Sequence, residues 1–356
     1  MSKKEIIIRK IKKGEEKEVL KIAKRAFLGI ESLSVSNPDK AMVALIDNKI
    51  VGGIIYKIID CNKKKIAYIS DAFVDKSYHN QGIGKKLYKE TIDFLWEEKI
   101  DGITALVKDD NVGSFKLLID NGLKRVSFIE IIKNLGFINA LKHYFITPFF
   151  VAVGFDFYMV MKENKVKEKK SQINQLGLFF LINLLLASPI WIGILTTNSS
   201  IFGNLFFAYL TILIIFILTR YIGVLTTKEK WKFRINNGGI VVNTIVNFLG
   251  FPYMINGNWY PEKYENTKEF KEKLARPELI KWFVFLFLPF LYFTNSPYLK
   301  EVAQLSFVYL IFFIIPFYPF NYFGGGRIYR YSKRIWAIVL TVTLIVLFMM
   351  VKFTLI

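Results

Sequence analysis

The sequence predicts an α/β head, a mixed and partly splayed sheet with flanking helices, followed by an all-α domain that crosses a membrane several times. Three observations carry this expectation. Residues 1–173 interleave short β-branched runs with amphipathic stretches and spread charge as a soluble domain does. From Gln175 onward, long apolar runs alternate with short basic loops. The chain has 356 residues, 53% of them hydrophobic and 16% aromatic, with a formal net charge of +20; that length accommodates two domains.

In chain order, residues 5–10 (EIIIRK) form a β-branched strand. Residues 14–27 follow as a helix with Val19, Leu20, Ala23, Ala26 and Phe27 on one face. A polar loop occupies 30–40, and 42–47 with 50–59 read as a hairpin turning through Asp47, Asn48 and Lys49. The lysine run 63–65 is a solvated turn, 68–74 a short apolar strand and 85–99 an amphipathic helix. A strand at 102–107, a helix at 111–120 stopped by Asn121-Gly122, and strands at 124–132 and 155–161 complete the order β-α-β-β-β-α-β-α-β-β. Between the last two strands, 133–153 is too short, and too broken by Pro148, to span a bilayer. Leu135, Phe137, Ile138, Leu141, Tyr144 and Phe145 fall on one face, with Lys133, Asn139 and Lys142 opposite. That pattern fits a helix lying on a membrane surface with His143 at the interface, or a helix packed on the head's own sheet.

The chemistry concentrates in His79-Asn80-Gln81-Gly82-Ile83-Gly84, between a strand and a helix. Two glycines one residue apart let the backbone approach a bulky anion, and the helix start aims unpaired N–H groups and a positive dipole end at it. Lys85 and Lys86 place positive charge in the first turn, against the dipole, a conflict that a bound pyrophosphate relieves. This stretch resembles motif A of the GNAT acetyltransferase superfamily, with the pattern's marked positions on His79, Gly82 and Gly84; His79 stands where relatives carry Arg or Gln. A second family landmark keeps its spacing at Asn111, Ser114, Leu117, Leu118, Gly122 and Leu123, and the resemblance covers about residues 5–162.

The resemblance implies acyl transfer from acetyl-CoA to an amine. It places acetyl-CoA on Phe73 and Val74 of the strand, on His79, Asn80, Gln81, Gly82, Ile83, Gly84 and Lys85, and on Asn111 and Ser114. The Val74 N–H would hold the acyl oxygen, and Asp71, three residues earlier, is the candidate base. Asp71 read alone is equally a solvent-facing strand-end carboxylate, and Asn111 equally a helix N-cap. The family's tyrosine acid falls on Leu118, which donates no proton, so a regulatory protein that binds acetyl-CoA without catalysis is the alternative.

Other classes are disfavoured. One cysteine, Cys61, rules out an internal disulfide, and two histidines, His79 and His143, are too few for a histidine zinc site. No basic helix with interleaved aromatics points to nucleic acid. The first residues, MSKKEIIIRK, are too charged for a cleavable signal peptide, so the head is expected in the cytoplasm.

The expected division is a head at 1–162, a charged linker at 163–174 and a membrane domain at 175–356. Apolar runs stand at 175–195, 201–225, 238–255, 279–293, 302–320 and 335–351. Counting all as spans puts Arg327, Arg330, Lys333 and Arg334 outside; letting 238–255 dip in and return puts them on the cytoplasmic side. The expectation is therefore five spans, one re-entrant segment and a multi-pass protein of the cell membrane, in contact with lipid. The stretch from Phe313 through Pro316 and Asn321 to Arg327, with Leu274-Ala275-Arg276-Pro277, resembles the site-2 protease family in decayed form. If that family's metal helix lies on 201–225, its ligand positions hold side chains such as Thr211 and Ile215, and the third ligand falls on Asn321, so neither a metal nor protease activity is expected.

Overall fold

A computed structural model describes residues 5–27, 32–33, 35–61, 64–108, 111–146, 155–163, 166, 173–227, 229–235, 243, 246–250, 254, 257–261, 265, 267–316 and 320–354. The chain divides into two compact units, Met1–Lys170 and Ser171–Ile356.

The first unit is built on β1 (Ile7–Lys10), α1 (Glu16–Ala26), β2 (Ala41–Ile46), β3 (Lys49–Cys61), β4 (Lys64–Val74), α2 (Ile83–Glu97), β5 (Gly102–Lys108), α3 (Val112–Asp120), β6 (Lys124–Val126), α4 (Phe128–Leu135), α5 (Phe137–Ile146) and β7 (Phe155–Met161). The seven strands run in the order β1-β2-β3-β4-β5-β7-β6. β2 and β3 turn through Asp47 and Asn48, both at positive φ, as a tight hairpin requires. α1 buries Val19, Ile22 and Ala23 against Val43, Leu45, Ile55 and Phe73. The β3–β4 register slips by one residue at Ser70, a bulge between the pairs Ile55–Asp71 and Tyr56–Ile69. β4 and β5 are parallel and share only the pairs Ile66–Gly102 to Ile69–Ala105. Beyond them β4 continues to Val74 beside β3 alone, and β5 continues to Lys108 beside β7 alone, so the sheet parts between them.

The expected strand 124–132 ends at Val126, and α4 begins two residues later. Ser127 caps it, its hydroxyl accepting the Glu130 N–H at 3.3 Å. The signal is the Ser127-Phe-Ile-Glu130 capping pattern, outweighed in the strand reading by the apolar run around it. The amphipathic stretch that follows is two helices broken at Gly136, which sits at φ 82°. Its faces also differ from expectation. Asn139 and His143 are buried, while Phe137 and Ile138 are exposed; the side chains of Tyr144 and Phe145 lie outside the described residues. His143 is therefore a core residue, its ring edge-on to Phe157 at 5.6 Å and its Nδ1 bonded to the Asn139 carbonyl at 2.8 Å. Among the residues beneath α4 and α5 is Cys61, 1% exposed, its thiol pKa pushed up by burial.

The second unit contains α6 (Ile173–Leu186), α7 (Ser188–Thr197), α8 (Ser199–Leu225), β8 (Trp231–Ile235), β9 (Gly257–Pro261), α9 (Lys268–Phe287), α10 (Pro297–Ile314), α11 (Gly325–Tyr331) and α12 (Lys333–Thr354). Among the described residues three single helices are long and apolar enough to cross a membrane, Ser199–Leu225, Pro297–Ile314 and Lys333–Phe353. Two of the five expected runs take a different form. The run 175–195 bends by 45° between α6 and α7, with Pro189 in the first turn of α7. The run 279–293 is the end of a longer helix that carries Glu278 and Lys281, followed by a 3-10 turn. The all-α expectation also fails, because β8 and β9 pair as an antiparallel hairpin. Most of the expected re-entrant segment at 238–255, and most of the linker at 163–174, lie outside the described residues.

What joins these helices is one carboxylate. Glu278 is fully buried and takes Arg220 and Lys281 at 2.9 Å each and Arg327 at 3.3 Å. Arg220 also donates to the Gly257 carbonyl at 2.9 Å, and Arg327 to the Trp259 carbonyl at 3.3 Å, which ties β9 to α8 and α11. Close approach is enforced by glycine: a Cβ at Gly223 would stand 2.5 Å from the Pro277 Cα, and one at Gly324 2.4 Å from Glu278 Oε2. Replacing Glu278 by Gln leaves three buried cations without their counter-charge. We expect it to cost this unit about 3–5 kcal/mol, read as a lowered unfolding midpoint of the purified protein.

Candidate functional site

The parting of β4 and β5 leaves backbone groups without a strand partner, and the register says which. The Asp75 N–H donates to the Val51 carbonyl at 2.8 Å, the bond made one residue beyond a non-hydrogen-bonded antiparallel pair. Gly52 and Val74 are that pair, so the N–H and C=O of Val74 point away from β3 into the gap, and by alternation so do those of Ala72. Gly52 and Gly53 serve this geometry: a Cβ at Gly52 would meet the Phe73 carbonyl oxygen at 2.7 Å. Two adjacent glycines inside a β-branched run were the signal for close backbone approach, and sequence reasoning passed over them.

After Val74 the chain makes a 3-10 turn, Lys76–Tyr78. Asp75 fixes it, accepting the Ser77 N–H at 3.0 Å and pairing with Arg25 of α1. His79 folds back, its Nε2 2.9 Å from the Val74 carbonyl. One of the two Val74 groups in the gap is thus met by the protein itself, and the N–H remains.

Gly82 caps α2 in the left-handed region at φ 79°, with nothing within 4 Å of where a Cβ would stand. Asn80 is also left-handed at φ 63°. The first intrahelical bond of α2 is from Lys86 to the Gly82 carbonyl, at 3.1 Å. Among the described residues, none accepts a hydrogen bond from the N–H groups of Gln81, Gly82, Ile83, Gly84 or Lys85. These five consecutive amides and the helix dipole make an anion-binding end. Ile83 is buried and anchors the turn, while Lys85 is exposed. Lys86 is drawn aside, donating to the Ile6 carbonyl at 2.6 Å.

α3 borders the same region. Asn111 is its N-cap, with the side chain accepting the Ser114 N–H at 3.2 Å. The Ser114 hydroxyl bonds the buried Tyr88 of α2, whose pKa burial raises. Leu117 lies 3.5 Å from a Cβ position at Gly84, and Leu118 is fully buried.

Asp71 stands opposite Ile55 and two residues before Phe73, on the face that α1 covers. Its Oδ2 accepts the Ser36 N–H at 3.1 Å. Burial raises its pKa, against the lowering effect of hydrogen bonds from Ser70 and Ser36. The strand-end, solvent-facing alternative does not describe it, since it is half-buried and hydrogen-bonded. Among the described residues no group of His, Cys, Asp or Glu is arranged to hold a metal.

A carboxyl whose folded pKa is raised contributes stability that is complete below the unfolded value, about 3.9, and is lost as pH rises through the folded value. Asp71→Asn removes that term. The stability of the native chain should therefore fall relative to the variant as pH rises from about 4, in paired denaturation series.

Residues 12–119 match the model of the Acetyltransferase (GNAT) family. Among solved structures, the chain resembles the ribosomal-protein-S18-alanine N-acetyltransferase of Escherichia coli at 17% identity, covering 35% of this chain and 80% of that one with a TM-score of 0.30. It resembles Ard1 from Thermoplasma volcanium at 15% identity, covering 44% and 97% with a TM-score of 0.31. It also resembles a GNAT family acetyltransferase from Elizabethkingia anophelis with acetyl-CoA bound, at 18% identity, covering 34% and 78% with a TM-score of 0.28. No curated protein matches the chain. The first unit thus carries a GNAT acetyltransferase domain.

Proposed function

We propose that the chain is a membrane-tethered N-acetyltransferase, moving an acetyl group from acetyl-CoA to an amine. The observation that carries this reading is the run of five unpaired amides at Gln81–Lys85 beside a sheet that opens at Val74, within the segment that matches the GNAT model. The pyrophosphate of acetyl-CoA sits on those amides with Lys85 at its edge, and His79 and Asn80 shape the turn that presents them. The pantetheine arm runs into the gap as a short substitute strand, beside Phe73 and Val74 on one side and Asn111 and Ser114 on the other. The Val74 N–H bonds the acyl oxygen, where charge develops as the amine attacks.

The amine must be neutral to attack. Asp71 accepts its proton directly or through water, and the raised pKa makes it a stronger base than a solvated carboxylate. The new N–C bond forms as the C–S bond breaks, and CoA leaves as the thiolate. Leu118 supplies no acid, so the leaving thiolate takes its proton from water. The same observation favours the second reading, a membrane protein that binds acetyl-CoA as a signal and does not turn it over.

The second unit would hold this domain at the cell membrane. Three long apolar helices among the described residues support that assignment, and we read the head as cytoplasmic. The working division is 1–162 for the acetyltransferase domain, 163–174 for the linker and 175–356 for the membrane domain. The acceptor is a small or membrane-borne amine.

Two variants separate binding from chemistry. Gly82→Glu should weaken acetyl-CoA binding by at least about 100-fold in calorimetry, because a carboxylate then occupies the anion site. Gly82→Ala carries the same left-handed backbone strain, about 1 kcal/mol, without the charge and should bind far better than Gly82→Glu. Unchanged affinity in Gly82→Glu removes the site. Asp71→Asn should leave the acetyl-CoA Kd within about threefold while thiol release with an amine panel falls about 10²–10⁴-fold. Binding with no thiol release from the native chain, across the panel, establishes the second reading instead.

A further inference from the structure

The α4–α5 hairpin presents two faces of opposite use. Its inner face, with Ile131, Leu135, Ala140 and the ring of His143, is committed to the sheet through Tyr68, Phe157 and Met159. Its outer surface should then be polar, yet Ile129 is 66% exposed, Phe137 58% and Ile138 70%. Leu141 is half-buried one turn beyond Ile138, and Lys133 and Lys142 stand exposed among these apolar groups. Neither lysine has an acidic partner among the described residues, and Glu130 is the one acidic residue of the hairpin. The inner face cannot absorb the outer residues, since Gly136 and the buried Asn139 and Ala140 fix the rotation of both helices.

We propose that this outer surface rests on the lipid bilayer, with Phe137, Ile138 and Ile129 entering the headgroup–acyl boundary and Lys133 and Lys142 reaching lipid phosphates. The mixture of large apolar side chains and lysine on one helical surface is the composition of an interfacial helix. Lipid is the occupant that the chain itself supplies. Only residues 162–172 separate β7 from α6, a reach of at most about 40 Å, and helices able to cross a bilayer follow. The hairpin leaves the sheet between β6 and β7, and the Phe155 end of β7 pairs with Lys108, at the end of β5 where β4 has parted from it. Lipid contact there would present membrane-borne amines to the groove. The contact itself does not depend on the acetyltransferase reading.

The test uses the full chain in proteoliposomes with about one-third anionic lipid. Cys61 is buried, so single cysteines introduced by Ile138→Cys, Ile129→Cys and, as a control on α1, Lys17→Cys can be labelled with an environment-sensitive fluorophore. Quenching by brominated acyl chains should be at least about threefold greater at 138 and 129 than at 17, with a blue-shifted emission. Resistance of the head to limited proteolysis, measured on the same samples, reports that each variant is folded and is not expected to change. Quenching at 138 no greater than at 17 overturns the proposal. So does protection of 138 by cross-linking to a second copy or to the chain's own helices without quenching.

Discussion

The candidate site depends on β4 and β5 agreeing to pair over a few residues and then separating. A parallel pair normally continues until one strand ends, because each unpaired backbone group costs about as much as a lost hydrogen bond. Here both strands continue after Ile69 and Ala105 with a different neighbour on their outer sides. The Ser70 bulge sits at the point of separation and steepens the local twist of β4 away from β5. The groups of Ala72 and the N–H of Val74 are then a fixed demand for a strand-like partner. In the function proposed above, a pantetheine arm, with its amides at peptide-like spacing, would meet that demand, and the α2 amides the charge at its other end.

The second unit is organised by the opposite device, a concentration of charge with nothing open. Glu278 collects Arg220, Lys281 and Arg327, and aromatic faces take what it leaves: Arg220 and Lys281 lie over Phe216 at 4.0 and 4.4 Å, and Arg327 over Tyr260 at 5.0 Å. Buried ion clusters of this kind add little net stability but punish any other arrangement severely, because a misplaced helix strands a charge. Their contribution is to specify which helices meet and in what register.

Much of the head was legible in the sequence. The element order follows from β-branched runs, Gly and Asn stops and one amphipathic helix after another, and the glycine loop announced its turn by its own chemistry. What was lost had local causes. The apolar run past Val126 outweighed the Ser127–Glu130 cap, and the helix after it was assigned the wrong face because Asn139 and His143 were assumed to seek water. Inside a helix Asn139 instead bonds the Leu135 carbonyl at 2.8 Å and can be buried. The run 279–293 was read apart from the helix that precedes it for a related reason, since hydropathy averages conceal a single Glu278, two of whose partners lie 58 and 49 residues away. Gly82 was visible from the glycine spacing and Asp71 through the family resemblance, whereas Ser36, Arg25 and the Gly52-Gly53 pair belong to the site only through the fold around β3 and β4.

The distribution of Glu278's partners along the chain bears on biogenesis. Arg220 and Glu278 emerge from the ribosome well before Arg327 does, and the glycine that admits the carboxylate, Gly324, comes with the latter. Until residue 327 has been synthesised, Glu278 has Arg220 and Lys281 but not its third cation. A chain interrupted ahead of Gly324 carries a half-built charge centre, with Glu278 short of one of the cations that the finished unit gives it.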